Sequence, residues 1–252
     1  MIGGGYMKKG LLLFQTILII MAAVGGSFKN TYNHICSSNR EQIKQVAKIF
    51  EPSEVNSVEK SLKLLKEGNT RYVEEKLENI DLSSRKREQL ASGQKPFAII
   101  VTCSDSRVVP EYIFNQGLGE LFVIRTAGNV VDKVEVGSIE YAVEHLKTPL
   151  IVIMGHEDCG AVKAAIEVNG KEVHGNIGVI LEKIHPAVET AKKKNLYGEE
   201  LIEEAIYENV RNVAKVVEAK SPIVKGNLKN GKVKIVKAKY MMKSGKVEWL
   251  IE

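Results

Sequence analysis

The chain has 252 residues, of which 44% are hydrophobic and 27% are charged. This length and composition suit one α/β domain with a well-buried core. The formal net charge is +5, and removing Lys8 and Lys9 with a segment that we expect to be cleaved leaves 34 of the 36 basic residues against 31 acidic ones. Because basic and acidic residues are nearly equal in number, the charge gives no reason to propose a nucleic-acid partner.

The start of the chain has the pattern of an export signal. Lys8 and Lys9 precede an apolar run from Leu11 to Val24, which ends among small residues suited to cleavage. This pattern is typical of a signal peptide over residues 1–26. An uncleaved N-terminal membrane anchor is the alternative, because the run is close to the minimum length of a membrane span. In either case we expect an extracytoplasmic bacterial protein, periplasmic, secreted or on the cell surface, with no membrane contact beyond that anchor.

The next segment, residues 27–53, is polar and predicts a linker before a domain over residues 54–252. We interpret Cys36, which lies in this linker, as a free thiol without a function, because one leftover cysteine has no disulfide partner within the chain. Apolar residues at helical spacing between 54 and 78 predict a helix, a turn at Gly68-Asn69-Thr70 and a second helical piece.

The central part of the chain alternates between strand and helix patterns. Three short apolar runs predict buried strands, and each is followed by a helical stretch. Two late strands, joined across Lys243-Ser244-Gly245, predict a hairpin. Together they predict an α/β fold with a mostly parallel β-sheet, flanked by helices and closed by an antiparallel C-terminal edge strand. The predicted strands are Phe97–Thr102, Leu121–Ile124, Leu150–Met154, 232–240 and 246–251, and the helices are Pro110–Gln116, Asp132–Leu146, Cys159–Val168, 177–194 and 198–220.

Two segments about fifty residues apart carry metal-binding residue types. Cys103 ends the first predicted strand, and His156 and Cys159 follow the third. Since the carboxyl ends of parallel strands meet at one edge of a sheet, the three side chains are expected to converge. A Cys₂His set leaves the fourth tetrahedral position of a zinc ion open, which is typical of catalytic zinc. We therefore predict one Zn²⁺ per subunit.

Asp105 and Arg107 lie two and four residues beyond the first ligand, on one side of the loop that leaves the strand. A carboxylate and a guanidinium in this arrangement pair bidentately. If Arg107 holds Asp105 off the metal, the carboxylate accepts a hydrogen bond from zinc-bound water, which becomes hydroxide near neutral pH. If Arg107 releases the carboxylate, Asp105 becomes a fourth metal ligand, and the metal site is then in a closed form. A closed structural zinc knot is the alternative interpretation.

The chain resembles the β-class carbonic anhydrases from about Val58 to Leu250. The resemblance implies a carbonate dehydratase, a zinc lyase that hydrates CO₂ reversibly to bicarbonate and a proton, with zinc on Cys103, His156 and Cys159. It also implies a homodimer or homotetramer in which N-terminal helices embrace the partner. The segments that carry it are Leu65–Asn69, Gln94–Pro96, Cys103–Arg107, Arg125–Asn129, Ile139–Val143 and Gly155–Gly160.

The same resemblance assigns substrate-binding residues. Gln94 matches a family glutamine that reaches an active site at the dimer interface, and Gly160 supplies a backbone amide near the zinc. Phe122, Ala127 and Tyr141 fall where the family lines its CO₂ pocket; for the two aromatic residues, ordinary core packing is the alternative.

The sequence departs from the family at two positions. Members that bear a non-catalytic bicarbonate site have a tryptophan where this chain has Ile100, so Arg125 and Tyr240 alone leave that site incomplete, and we expect an open, water-bound zinc at neutral pH. Glu157 replaces a residue that is more often small and polar. The sequence identifies no proton shuttle among His34, His145, His174 and His185.

Two alternative functions remain open at this stage. A hydrolase of CS₂ or carbonyl sulfide with the same fold would use the same chemistry on another linear substrate. A catalytically silent zinc domain that senses bicarbonate or scaffolds a transporter belongs to a different class, although Gln94, Asp105 and Arg107 argue against silence.

Overall fold

A computed structural model describes residues 57–250; the predicted signal peptide, the linker and Cys36 lie outside this range. None of the helices between residues 57 and 250 combines the length and apolarity that a membrane span needs. In chain order the elements are α1 (Val58–Val73), α2 (Ser84–Leu90), β1 (Ala98–Cys103), α3 (Pro110–Ile113), β2 (Leu121–Thr126), a 3₁₀ turn (Ala127–Asn129), α4 (Lys133–Glu144), β3 (Leu150–His156), α5 (Gly160–Val168), α6 (Asn176–Lys192), α7 (Gly198–Lys220), α8 (Pro222–Lys229), β4 (Lys234–Tyr240) and β5 (Val247–Leu250).

The five strands form one sheet in the order β2-β1-β3-β4-β5. β1 to β4 run parallel to their neighbours, and β5 pairs antiparallel with β4 at the edge. The predicted α/β fold with its antiparallel C-terminal edge strand is confirmed. The two central strands, β1 and β3, are buried along their whole length, which explains why their sequences are continuous apolar runs rather than alternating ones.

Helices cover both faces of the sheet. On one face, α4, α7 and α8 supply apolar residues such as Ile139, Val213 and Val224. On the other face, α1 and α3 supply Leu65 and Ile113. The carboxyl ends of β1 and β3 lie next to each other, because Thr102 pairs with Met154. This pairing brings the two predicted metal-binding segments together.

The predicted break in the first helix is wrong, since α1 continues through Gly68 and Asn69 to Val73. A Cβ atom at Gly68 would lie 1.8 Å from the carbonyl oxygen of Phe114, so the glycine permits close packing of α1 on the α3 segment. The Asn69 side chain is buried, donates to the carbonyls of Ile113 and Gly245, and accepts from the amide of Val247. Tertiary contacts therefore outweigh the low helix propensity of these two residues.

Other boundaries differ by a few residues. The helix predicted at Pro110–Gln116 ends at Ile113, and Asp132 and Cys159 are N-caps of α4 and α5 rather than helical residues. β2 continues two residues beyond its prediction to Thr126. The helices α2 and α8 were not predicted from the sequence, although Ser83 and Ser221 cap them with side-chain hydrogen bonds.

Gly68→Ala is expected to destabilise the fold by more than about 2 kcal/mol, because the new methyl group collides with backbone rather than with a movable side chain. Gly226→Ala in α8 is the matched control, since a Cβ atom there meets nothing within 4 Å. This control should change stability by no more than about 1 kcal/mol, in the stabilising direction. Urea unfolding midpoints measure both, and equal midpoints for the two variants would contradict the packing argument.

Candidate metal centre

Three buried side chains converge at the carboxyl edge of the sheet. Cys103 is the last residue of β1, His156 is the last residue of β3, and Cys159 caps the N-terminus of α5. One potential ligand atom from each residue lies within 4.8 Å of the others. The structure thus brings together the three residues that the sequence predicts as metal ligands.

The imidazole of His156 is oriented for a metal. Its Nδ1 lies 2.9 Å from the carbonyl oxygen of Glu157, so Nδ1 carries the proton and donates it in a hydrogen bond. The other ring nitrogen, Nε2, is buried and has no hydrogen-bond partner within the described chain. A buried acceptor without a partner is costly. A cation bound to Nε2 removes that cost, and the donor set therefore fits a metal ion.

The two thiols prepare the site for a divalent cation. The hydrogen bond from Cys159, together with those from the backbone amides of Asp105 and Gly128, lowers the pKa of Cys103 to about 4. The amide of Gly128 lies 3.3 Å from Cys103 Sγ. The hydrogen bond to Cys103, followed by burial, raises the pKa of Cys159. One negative charge and one proton are thus shared between the thiols, and soft thiolate ligands with an imidazole suit zinc.

Gly128 holds its place through backbone geometry that only glycine satisfies. Its φ is +64°, and a Cβ atom would lie 2.6 Å from Cδ1 of Ile184. Its carbonyl accepts a 2.8 Å hydrogen bond from Nδ2 of Asn209 on α7. The sequence did not predict the hydrogen bonds that Gly128 makes to Cys103 and to Asn209. The segment Arg125–Asn129 signalled the turn, but no sequence pattern pointed to Asn209.

Asp105 is held by Arg107 in a two-pronged ion pair. Arg107 Nε donates to Oδ1 over 2.9 Å, and Nη2 donates to Oδ2 over 2.7 Å. The backbone amide of Arg107 adds a third hydrogen bond to Oδ1. These bonds hold the pKa of Asp105 well below its usual range, with the Arg107 side chain as the largest cause. The carboxylate is therefore ionised and directed toward Arg107, as the spacing predicts.

The loop between Cys103 and Arg107 is fixed from the neighbouring strand. Arg125 donates from Nε to the carbonyl of Cys103 over 3.1 Å and from Nη2 to the carbonyl of Asp105 over 2.6 Å. Tyr240, the other residue that resembles part of a bicarbonate site, is buried with its hydroxyl 3.3 Å from that of Tyr72. Ile100 is completely buried in the sheet core. The prediction of an open site at neutral pH is not tested by these contacts.

The predicted substrate-binding residues divide into two groups. Ala127 begins the turn that carries Gly128, and Gly160 begins α5 directly after Cys159. A Cβ atom at Gly160 would meet nothing within 4 Å, so the space beside it is open. These two residues lie beside the metal-binding cluster.

Gln94, Phe122 and Tyr141 lie at the opposite end of the sheet. Phe122 pairs with Ile99, so the rise along the strand places it about 13 Å before the end of β1. Its ring centroid lies 6.4 Å from that of Tyr141, which is half exposed, and Gln94 is exposed before β1. Phe122, with Tyr141 packed against it, thus lies far along the sheet from the metal-binding cluster of its own chain. The predicted role of Gln94 across a subunit interface stays a prediction.

Comparisons with known proteins agree with this geometry. A family model described as carbonic anhydrase matches residues 98–247. Carbonic anhydrase 2 of Mycobacterium tuberculosis is 39% identical over 186 residues, which cover 73% of this chain and 88% of that protein. The carbonic anhydrase of Mycolicibacterium smegmatis is 37% identical over 188 residues, or 74% of this chain and 90% of that protein.

Solved structures give the same result at the level of the fold. The β-carbonic anhydrase of Coccomyxa, solved in complex with acetazolamide, superimposes with a TM-score of 0.60 at 25% identity, covering 86% of this chain and 85% of that one. The β-carbonic anhydrase CafA of Aspergillus fumigatus also has a TM-score of 0.60, at 27% identity, with 66% and 80% of the two chains covered. Because these matches cover most of its length, the chain belongs to the β-carbonic anhydrase family.

Proposed function

We propose that this protein is a zinc-dependent carbonic anhydrase that interconverts CO₂ and bicarbonate. The observation that carries the proposal is the buried cluster of Cys103, His156 and Cys159, with an unpartnered Nε2, beside a carboxylate that Arg107 holds in place. A Cys₂His centre with Asp105 kept on Arg107 has three protein ligands, which is the arrangement of a catalytic zinc rather than a structural one.

The residues around the cluster have separable roles in this reaction. Cys103, His156 and Cys159 would hold the zinc ion, which would supply a Lewis acid that lowers the pKa of a water molecule toward about 7. Asp105 is ionised and its oxygens have further lone pairs, so it would accept a hydrogen bond from the attacking water and orient it. Gly160 follows Cys159 directly at the start of α5, and its backbone amide would donate to a substrate oxygen.

The same centre is compatible with the two alternatives, which an assay separates. A CS₂ or carbonyl sulfide hydrolase uses the same ligands, and no contact of the described residues favours it over CO₂ hydration. A silent bicarbonate-sensing domain has no need for an Asp105 carboxylate held by three hydrogen bonds from Arg107.

Stopped-flow CO₂ hydration on the zinc-loaded protein, with CS₂ and carbonyl sulfide assayed beside it, tests the proposal. We expect CO₂ hydration far above the buffer background, and inhibition by acetazolamide, the compound bound in the Coccomyxa structure. CO₂ rates at background together with turnover of CS₂ or carbonyl sulfide would select the hydrolase. Background rates with all three substrates would select the silent domain.

We also propose that the active unit is a homodimer or a larger assembly that contains it. Gln94 precedes β1, and Tyr141 packs against Phe122 near the start of β2, whereas the metal-binding cluster lies at the carboxyl ends of the strands. The outer strand β2 has a neighbour on one side only among the described strands. An unpaired strand edge favours association, and packing a second subunit there would give these residues a role in its site.

Export from the cytoplasm completes the proposal. It rests on the sequence alone, on Lys8 and Lys9 followed by the apolar run from Leu11 to Val24. N-terminal sequencing of protein from fractionated cells distinguishes a cleaved signal, with an N-terminus near residue 26, from a retained anchor. Intact protein in the cytoplasmic fraction would contradict export.

Zinc binding should be linked to the release of one proton. Cys103 is already a thiolate near neutral pH because its pKa is about 4, whereas Cys159 keeps its proton because its pKa is raised. Where His156 is neutral, the apparent zinc affinity should therefore rise about tenfold per pH unit. Chelator competition at several pH values measures this slope. A rise near a hundredfold per unit would mean that both thiols are protonated in the metal-free protein.

Cys159→Ala should lose zinc and activity together, because it removes a ligand. Asp105→Ala and Arg107→Ala should keep stoichiometric zinc and lose turnover by about a hundredfold or more, because the water loses its oriented acceptor. Lys192→Ala, which removes an exposed ion pair with Glu189, is the control and should keep full activity. Metal analysis and CO₂ hydration report the two effects separately. Full activity in Arg107→Ala would disprove the role assigned to the pair.

Gln94→Ala should lower turnover about fivefold to tenfold without metal loss, as expected for one hydrogen bond. Mixed dimers locate its action. A dimer with Cys159→Ala in one subunit and Gln94→Ala in the other should have normal activity per zinc, because its zinc site receives an intact Gln94 from the partner. A dimer with both substitutions in one subunit should show the reduced rate. The reverse result would place Gln94 in the site of its own subunit.

A further inference from the structure

Glu157, which departs from the family pattern, forms hydrogen bonds through its amide, its carbonyl and its carboxylate. They connect it to the metal ligand His156 and to the β4–β5 hairpin. Its amide donates to the carbonyl of Tyr240 over 2.8 Å. Its own carbonyl accepts the 2.9 Å hydrogen bond from Nδ1 of His156. Its carboxylate Oε2 accepts from the backbone amide of Met242 over 2.9 Å. Glu157, whose carbonyl fixes the histidine tautomer, is therefore held through both its backbone amide and its side chain.

The hairpin is a firm attachment point for this carboxylate. Met241 and Lys246 close it with a 2.8 Å backbone hydrogen bond, and Gly245 donates to the carbonyl of Met241 over 2.9 Å. The buried side chain of Asn69 accepts from the amide of Val247 and donates to the carbonyl of Gly245. The turn is thus fixed to α1 independently of Glu157. It keeps its position without the Glu157 side chain and can therefore fix that side chain in place.

The link between the two metal ligands on this segment is short. Only Glu157 and Asp158 separate His156 from Cys159, and Asp158 has a φ of +60°, a left-handed conformation that is unusual for a residue other than glycine. The conformation of this pair sets where both ligands point. A bond that fixes Glu157 therefore acts on the histidine and, through Asp158, on Cys159.

We propose that Glu157 is a positioning residue for the metal centre. Its carboxylate anchors the 157 peptide to the amide of Met242, and this anchor keeps the carbonyl of residue 157 where it holds the His156 imidazole with Nε2 toward the cysteines. A shorter polar side chain at 157 does not reach Met242. Groups that orient a metal ligand in this way typically change metal affinity by about 10- to 100-fold when they are removed.

Zinc and cobalt binding to three variants tests this role. Glu157→Ser removes the anchor and is expected to weaken zinc affinity about tenfold or more. Glu157→Gln keeps an oxygen that can accept from Met242, and should stay within about twofold of the wild type. Glu120→Ala is the matched control, because it removes a carboxylate bond to the amide of Gly117 at the far end of the sheet. That variant should bind zinc normally.

The inference rests on the proposed function only in requiring the metal centre, and none of these measurements involves CO₂. Failure of CO₂ hydration with the expected binding pattern would therefore refute the proposed function and leave this inference standing. The visible spectrum of the Co²⁺-loaded protein provides a second measurement, since altered His156 orientation should shift its bands in Glu157→Ser but not in Glu157→Gln.

Several outcomes would overturn the inference. Wild-type zinc affinity and an unchanged cobalt spectrum in Glu157→Ser would show that the anchor does not position His156. Equal losses in Glu157→Gln and Glu157→Ser would show that the charge matters rather than the hydrogen bond. If Glu157→Ser does not fold, Glu157→Gln still decides: a folded Gln variant with weakened zinc binding or a shifted spectrum contradicts the proposal, and wild-type values support it.

Discussion

The adjacency of β1 and β3 is the constraint on which the site depends. Because the two strands are parallel neighbours, their last residues, Cys103 and His156, meet at one edge of the sheet. The helix that follows β3 then begins at Cys159. Burial of two thiols and an imidazole with an unpartnered Nε2 in an apolar setting is unfavourable without a cation. The fold therefore produces a site that a soft divalent metal ion stabilises.

Backbone donors and charged side chains around the cluster complement each other. Gly128 directs an amide at Cys103, and only a residue without a side chain fits between that sulfur and Ile184. Arg107 pairs with the Asp105 carboxylate, and Arg125 fixes the loop that carries them both. The candidate ligand atoms, the turn that stabilises a thiolate and the Asp105–Arg107 ion pair are thus positioned by separate parts of the sheet edge.

The sequence predicted the fold class, the convergence of Cys103, His156 and Cys159, and the Asp105–Arg107 pair because each depends on short-range patterns: apolar strands, residues at strand ends, and spacing along one loop. It did not predict features that depend on contacts between distant segments. Gly68 and Asn69 predict a helix break, because the neighbouring sequence does not indicate their contacts with Phe114 and Gly245. The bonds from Asn209 to Gly128 and from Met242 to Glu157 join residues more than eighty positions apart. Such partners follow from the fold and have no signature in one segment.

The central claim is that Arg107 keeps Asp105 off the metal, which leaves one coordination position for water and substrate. A crystal structure of the zinc-loaded protein at about pH 7 tests it most directly. We expect zinc bound by Cys103, His156 and Cys159, with the Asp105 carboxylate paired with Arg107 through both oxygens. An Asp105 oxygen bound to zinc, with Arg107 turned away, would contradict it.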